Sequence, residues 1–440
     1  MNSYGNSGKF ARLGCLRSIL FLAKIPRIAR VTDYILPWTI LLAPLLIFSY
    51  RVPRAVALGA ATAVFVPVFF KGYFLSTGWP TRPLMLAFIL CSVPSLYATA
   101  FPEVTIEKLL LFTLSVCVYL SVVSVRRDFL NLARLTGLVA SAAITLAITG
   151  PFITDFAAKN RFFKIPWTKF FSFRFPEVLD PNILANLINM ILPVILALSL
   201  SGQRLGYGKK IRTALWLGVG LLIAGLVITE SRAGYTAALF GMGLLLLFFF
   251  RKLWIAYGLV GTGGLVAFFQ LQAHSGLETF ITVGTVTTWE SRKEVWSRAL
   301  YMIQDFPFTG IGAGTYGTVA NVLHPFFINS SDPALPHSHS LFLQVAVDFG
   351  VPSLVAFTAL FTAAIFLGWK AYRRFEAQRQ VLGATLACGY LSGLSAMLVH
   401  GLLDAPLWLT KPSPVPFFFM GVLVSLYVLA KDLGGRPTKG

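Results

Sequence analysis

The feature that most restricts the fold of this chain is a series of apolar runs, each about as long as a membrane-spanning helix. Such a helix needs about 20 mainly apolar residues to cross the hydrocarbon core of a bilayer. Soluble domains carry roughly 25% charged residues, whereas this chain has 12% charged and 56% hydrophobic residues. Too little polar sequence remains to cover the runs, so a soluble protein is excluded. We predict an all-α polytopic membrane protein with about 12 transmembrane helices, at 34–50, 54–70, 82–101, 105–124, 129–150, 179–201, 211–229, 232–250, 253–271, 351–369, 381–400 and 412–430.

The distribution of basic residues predicts the orientation of these spans. The chain has 37 Lys and Arg against 17 Asp and Glu. With the N-terminus in the cytoplasm, 24 of the 37 basic residues fall on the cytoplasmic side and 13 on the other. Cytoplasmic loops are enriched in Lys and Arg, so we predict that both termini are cytoplasmic. The positive charge is thereby explained without a nucleic-acid partner. The four cysteines show no CxxC spacing, which argues against a disulfide or a zinc site.

The predicted spans divide the chain into five parts. A basic cytoplasmic tail (1–33) precedes spans 1–9 (34–271), which include a basic outer loop at 151–178. An outer segment (272–350) follows, then spans 10–12 (351–430) and a cytoplasmic tail (431–440). The outer segment is too long for a simple connector and should have its own structure. In it we predict a helix from Trp289 to Leu300, a tight turn at the Gly310–Gly314 GxGxG sequence, and an interfacial helix at its end.

The loop 151–178 carries five basic residues on the outer side, against the usual charge bias; they include Arg161 and Arg174. Aromatic side chains alternate with these cations. One interpretation is a solvated loop on lipid headgroups. The other is a segment that dips into the interface and meets a lipid-linked phosphate.

Two polar features interrupt the apolar runs that follow. Asp180 is placed to cap a helix that begins at Pro181, and Asn182 and Asn186 share one face of that helix, which indicates a polar contact inside the bundle. Arg232 lies near the outer membrane boundary. It could pair with Glu230 or point into the same cavity as the basic loop.

Residues 336–350 join the outer segment to the next apolar run. Ser338 is predicted to cap a helix with His339 in its first turn, where the helix dipole would keep the imidazole neutral, as a general base requires. Gln344 and Asp348 continue a polar stripe from Ser340 along this helix. Gly350 ends the helix.

The remaining histidine patterns bear on metal binding. The chain contains no HxxxH or HExxH sequence, and His337 and His339 would diverge on a helix. We therefore predict no metal site and a lesser role for His337. Asp404 follows His400 by four residues on the same outer side, so it is a candidate supporting residue.

Together these residues resemble the O-antigen ligase family, which belongs to a superfamily shared with O-antigen polymerases and bacterial O-oligosaccharyltransferases. The resemblance covers roughly residues 175–410. In this chain Ser353 stands where the ligases have Gly, Thr or Tyr. The segments that match are Ser231–Gly234, Arg292–Trp296 leading into the GxGxG sequence, and His339-Ser340 followed, after nine intervening residues, by Gly350.

The resemblance implies a GT-C-type glycosyltransferase of the Gram-negative inner membrane that uses neither metal nor cofactor. It would move O-antigen from undecaprenyl diphosphate to lipid A–core oligosaccharide at the periplasmic face. Arginines stabilise a diphosphate leaving group well; Arg232 and Arg292 are the first candidates, then Arg161 and Arg174. His339 would be the catalytic base, supported by His337, Asp404, Asn182 and Gln344.

Three alternatives remain open at this stage. An O-antigen polymerase or an O-oligosaccharyltransferase would use the same chemistry with a different acceptor. A secondary transporter would show an internal repeat and ionisable or helix-breaking residues at mid-membrane. The predicted polar cluster lies at one face instead.

Overall fold

The computed structural model describes residues 80–124, 129–154, 180–250, 252, 255, 287–328, 335, 337–410 and 412–434. Within these ranges the protein is helical and contains no β-sheet. The helices are α1 (Arg82–Ser92), α2 (Ser95–Ala98), α3 (Pro102–Ser124), α4 (Phe129–Ile153), α5 (Pro181–Ser201), α6 (Lys209–Ile228), α7 (Arg232–Phe249), α8 (Thr287–Asp305), α9 (Tyr316–Leu323), α10 (Leu341–Phe349), α11 (Val351–Ala377), α12 (Val381–Leu403) and α13 (Pro414–Gly434).

Seven of these helices are long and apolar enough to cross a membrane: α3, α5, α6, α7, α11, α12 and α13. Each matches a predicted span, and together they are consistent with a polytopic membrane protein. The predicted span at 82–101 corresponds to the shorter apolar stretch Arg82–Ala98, in which α1 ends at Ser92 and Pro94 precedes the short α2. The span at 129–150 falls within α4, whose shorter apolar part is Thr136–Gly150. The spans at 34–50, 54–70 and 253–271 lie outside the described residues.

Helix α12 is central to the bundle and packs most extensively against α5 and α11. Glycines make the α5–α12 approach close: a Cβ at Gly393 would collide with the carbonyl oxygen of Met190, and one at Gly389 would lie 2.9 Å from the Cα of Val194. Small residues permit such backbone contacts between membrane helices, where dispersion forces rather than water exclusion drive packing. The close packing of α5 against α12 fixes the positions of the residues at the ends of these helices.

Chain segments from distant parts of the sequence meet at one end of the bundle, which we call the site end. Here Ser231 Oγ donates to Asn182 Oδ1 at 2.7 Å, joining the starts of α5 and α7. Lys108, near the start of α3, donates to the carbonyl of Leu409 at 3.2 Å, joining it to the turn between α12 and α13.

Helices α8 and α9 form a small second core over this end. Val295 and Ala299 of α8 pack with Tyr316 and Ala320 of α9 and with Val347 of α10. The predicted helix from Trp289 to Leu300 is confirmed within α8. The structure therefore places this folded segment directly against α10, next to the histidines.

Candidate active site

The histidine-containing turn before α10 differs from the prediction. Helix α10 begins at Leu341, with Ser340 as its N-cap, so the expectation that Ser338 caps the helix and that His339 lies in its first turn is wrong. The Ser338 hydroxyl donates instead to the carbonyl of Ser340 at 3.1 Å. His339 is left-handed, with φ of 50°, a conformation that costs a non-glycine residue about 1–2 kcal/mol.

This turn brings His339 against Asp404, which directly follows α12. His339 Nδ1 lies 3.1 Å from Asp404 Oδ1. The carboxylate can only accept, so Nδ1 carries the proton and the lone pair is on Nε2. The Ala405 amide also donates to Asp404 Oδ1, at 2.9 Å. A histidine fixed in this tautomer by a buried carboxylate is the arrangement of a general base.

His337 does not point away from this pair, contrary to the prediction of divergent side chains. Its Nδ1 lies 3.7 Å from Asp404 Oδ1, and its ring centroid lies 4.6 Å from that of His339. The backbone N–H of His339 donates to His337 Nδ1 at 3.2 Å, so this nitrogen carries a lone pair. Burial lowers the pKa of His337 to about 4 despite the charge of Asp404, which keeps the ring neutral.

Asp404 carries the negative charge of this cluster. Burial would raise the pKa of its carboxyl, but the hydrogen bond from His339 and the influence of His337, His339 and His400 hold the pKa well below its usual range. The group is therefore ionised at neutral pH. It can therefore orient His339 and stabilise the imidazolium that proton transfer creates.

The same three side chains are close enough to hold a metal ion. One ligand atom each from His337, His339 and Asp404 lies within 4.8 Å of the others. We predicted that His337 and His339 would diverge on a helix and could not share a metal ion. Both residues precede the helix, so this reason against a metal site does not hold. However, both Nδ1 atoms already have hydrogen-bond partners, from the backbone of His339 in one case and Asp404 in the other. An ion bound through the two Nδ1 atoms would have to displace both contacts.

Two of the four predicted arginines are brought to this cluster. Arg292 of α8 is half-buried, and burial lowers its pKa, with the charge of Asp404 opposing this and the charge of Arg232 adding to it. Arg232 starts α7 and is exposed. Their charges therefore act on one another beside Asp404. Arg161 and Arg174 lie outside the described residues.

Asn182 and Gln344 act on the backbone of the site. The Asp180 carboxylate accepts from the Asn182 amide at 2.6 Å and caps α5, as predicted. The Asn182 side chain accepts from Ser231, the N-cap of α7, and so supports the segment before Arg232. Gln344 is buried, and its Oε1 accepts from the Ser338 amide at 2.6 Å. The predicted polar stripe of α10 thus faces the histidine turn.

Sequence reasoning missed three residues of this region. Lys108 approaches Gly314 with its aliphatic stem. Trp408 Nε1 donates to Asp348 Oδ2 at 2.7 Å. Trp296 Nε1 lies 3.4 Å from the carbonyl of His339. A lysine in an apolar helix was a visible signal for Lys108, whereas nothing in the sequence indicated where the two indoles would bond.

Behind Asp404 the structure has an apolar cavity. Its walls include Phe112, Leu341, Phe357 and Trp408, and Asn186 also lines it. The Asn186 Oδ1 atom is buried and has no hydrogen-bond partner among the described residues, so the predicted polar contact inside the bundle is seen for Asn182 only. The polar cluster thus borders a small apolar cavity of about 20 Å³.

Comparison with known families agrees with this arrangement. Residues 217–358 match the family model described as O-antigen ligase. The matched region runs from α6 into α11 and contains Arg232, Arg292, His337 and His339, while Asp404, which follows α12, lies beyond it. No curated protein matches the chain. This match supports the family resemblance drawn from the sequence.

Proposed function

We propose that this protein is an O-antigen ligase of the GT-C type. It transfers O-antigen from undecaprenyl diphosphate to lipid A–core oligosaccharide at the periplasmic face of the inner membrane. The observation that carries the proposal is the His339–Asp404 pair beside the charges of Arg232 and Arg292. His339 can accept a proton at this site, and the two arginines can bind a diphosphate.

The reaction follows from these groups. His339 Nε2 takes the proton of the acceptor hydroxyl as the oxygen attacks the anomeric carbon. The bond from that carbon to the diphosphate oxygen breaks, and the configuration inverts in a single displacement. Asp404 stabilises the imidazolium. Charge gathers on the departing diphosphate, where Arg232 and Arg292 stabilise it, an effect typically worth several kcal/mol.

The placement of charge supports a periplasmic site. Cations collect at the end of the bundle opposite the site end; the described residues there include Arg204, Lys209, Lys210, Arg212, Lys370, Arg373, Arg374, Arg379 and Lys431. By the positive-inside rule this end is cytoplasmic.

Reconstitution with two competing acceptors tests the proposal. Purified protein in liposomes receives a polyprenyl-diphosphate glycan, lipid A–core, and a second polyprenyl-linked glycan. We expect product on lipid A–core, at an equal rate in EDTA. Extension of the second glycan would instead identify a polymerase. Loss of activity in EDTA with recovery on Zn²⁺ addition would assign an ion to the His337–His339–Asp404 cluster.

A further inference from the structure

Asp348, the last polar residue of the α10 stripe, lies at the centre of a buried hydrogen-bond network. Its side chain is 1% exposed. Oδ1 accepts from Gln344 Nε2 at 2.9 Å and from the Gly314 amide at 3.3 Å. Oδ2 accepts from Trp408 Nε1 at 2.7 Å. One carboxylate thus contacts α10, the GxGxG loop and the turn after α12.

Two of these contacts lead directly to the His339–Asp404 pair. Through Gln344, the carboxylate reaches the amide of Ser338, which lies between the two histidines. Trp408 belongs to the turn that starts at Asp404: its amide donates to the carbonyl of Ala405 at 3.1 Å.

We propose that Asp348 is a positioning residue that sets the distance between His339 and Asp404 by holding both of their segments through Gln344 and Trp408. The proposal rests on the proposed function insofar as it assumes that His339 reacts. Asp348 itself touches neither substrate nor the reacting atoms.

The pattern of donors explains why a carboxylate is needed at this position. All three partners of Asp348 donate, and Gln344 cannot reverse its amide because Oε1 faces the Ser338 amide. An asparagine has one oxygen and one NH₂ group. If its oxygen faces Gln344, its NH₂ opposes the Trp408 N–H; if it turns over, its NH₂ opposes Gln344 and Gly314. Either way a buried donor loses its acceptor.

The ionised state of Asp348 depends on the same neighbours. Burial raises the pKa of its carboxyl to about 7, while the donors Trp408, Gln344 and Gly314 and the charge of Lys108 oppose the rise. The surrounding groups are therefore arranged to receive a carboxylate.

Asp348→Asn, Trp408→Phe and the double variant test this arrangement. Trp408→Phe keeps an aromatic ring among Phe88, Phe349 and Phe357 but removes the N–H that an asparagine would oppose. We expect Asp348→Asn to lower kcat about 10- to 100-fold with KM nearly unchanged. The double variant should regain part of that loss, since the opposed donor is gone.

Amide hydrogen exchange gives a readout that does not depend on activity. In Asp348→Ala, which removes both acceptor oxygens, the amides of Ser338 and Gly314 should exchange faster by about tenfold, while that of Gln344, which bonds to Ser340 within α10, is unchanged. Unchanged exchange at Ser338 and Gly314, or a double variant whose kcat loss equals the product of the single losses, overturns the proposal. If the wild-type protein fails to ligate, the proposed function falls, and the exchange data still decide whether Asp348 holds the two segments.

Discussion

At the scale of single residues, the two histidines beside Asp404 differ in the protonation of Nδ1. His339 presents a proton to the carboxylate, and His337 presents a lone pair to the amide of His339. In His339 the lone pair is left on Nε2. His339 is therefore the base of the proposed reaction, and His337 fixes the backbone that carries it.

The neutrality of His337 predicts a pH-dependent loss of stability. Its pKa is lowered from 6.5 to about 4 by burial. The unfolded chain binds a proton as pH falls through 6.5, whereas the folded chain does so only near 4. The neutral ring therefore makes its full contribution to the free energy of unfolding above pH 6.5, and this contribution is lost as the pH falls toward 4. Between pH 7 and pH 5 the loss is about 2 kcal/mol.

Unfolding of wild type and His337→Gln in detergent at both pH values measures this effect. The glutamine does not titrate, so the wild type should lose about 2 kcal/mol more than the variant on going from pH 7 to pH 5. A difference between the two proteins that stays constant with pH would show that His337 is not buried in neutral form.

The charge of Arg292 has a neighbouring control on the same helix. Arg292→Gln should lower kcat/KM for the lipid-linked donor by about 10²–10³, because a desolvated cation beside the diphosphate is lost. Lys293 is exposed and pairs with Glu290, so Lys293→Gln should leave the initial rate nearly unchanged. Equal losses in the two variants would place the donor elsewhere.

Residue patterns predicted the Asp180 cap, the Gly350 stop and the polar stripe, because each depends on a few neighbours in the chain. The same patterns wrongly predicted that Ser338 caps α10. Its amide donates to Gln344 and its hydroxyl to Ser340, and these bonds delay the helix start to Leu341. That shift brings both histidines to Asp404, and no local pattern contained it.

At the scale of elements, the GxGxG loop closes the C-terminal end of α10. The amides of Ile311 and Gly312 donate to the carbonyls of Val347 and Asp348 at 2.9 and 3.3 Å, which satisfies acceptors that the helix leaves open. All three glycines have positive φ. The predicted tight turn is thus confirmed, but its partner could be found only from the tertiary structure.

Gly310→Ala tests this contact, with Gly206→Ala as its control. Gly310 has φ of 65°, and a Cβ would lie 2.5 Å from the carbonyl carbon of Asp348. Gly206 has φ of 71°, with nothing within 4 Å of a Cβ. The control should lose about 1 kcal/mol of unfolding free energy from backbone strain alone. Gly310→Ala should lose about 3 kcal/mol or more, since backbone must move. Similar losses in both would contradict the close packing.

At the scale of the whole molecule, the site joins residues from five helices or turns far apart in the chain. Lys108, Arg232, Arg292, His339 and Asp404 all lie at or near one end of the bundle. The alternation of apolar runs predicted a common side for Arg232, Arg292, His339 and Asp404, because each crossing reverses direction. Their mutual distances were not predictable, since these depend on how closely helices such as α5 and α12 approach.

Cysteine labelling checks this orientation. Lys293→Cys and Lys210→Cys each place a thiol at an exposed position, at the site end and at the opposite end respectively. A membrane-impermeant maleimide added to cells with a permeable outer membrane should label only Lys293→Cys; disruption of the inner membrane should expose Lys210→Cys. The unsubstituted protein gives the background. The reverse pattern would put the histidines in the cytoplasm.

In the proposed reaction His339, oriented by Asp404, accepts the proton of the attacking hydroxyl. The most direct measurement is the initial rate of glycan transfer to lipid A–core by His339→Ala. His324→Ala is its control, because His324 also pairs with an aspartate, Asp305, at 2.7 Å. We expect His339→Ala to be slower by about 10²–10⁴ and His324→Ala to match the wild type. A near wild-type rate for His339→Ala would contradict the claim.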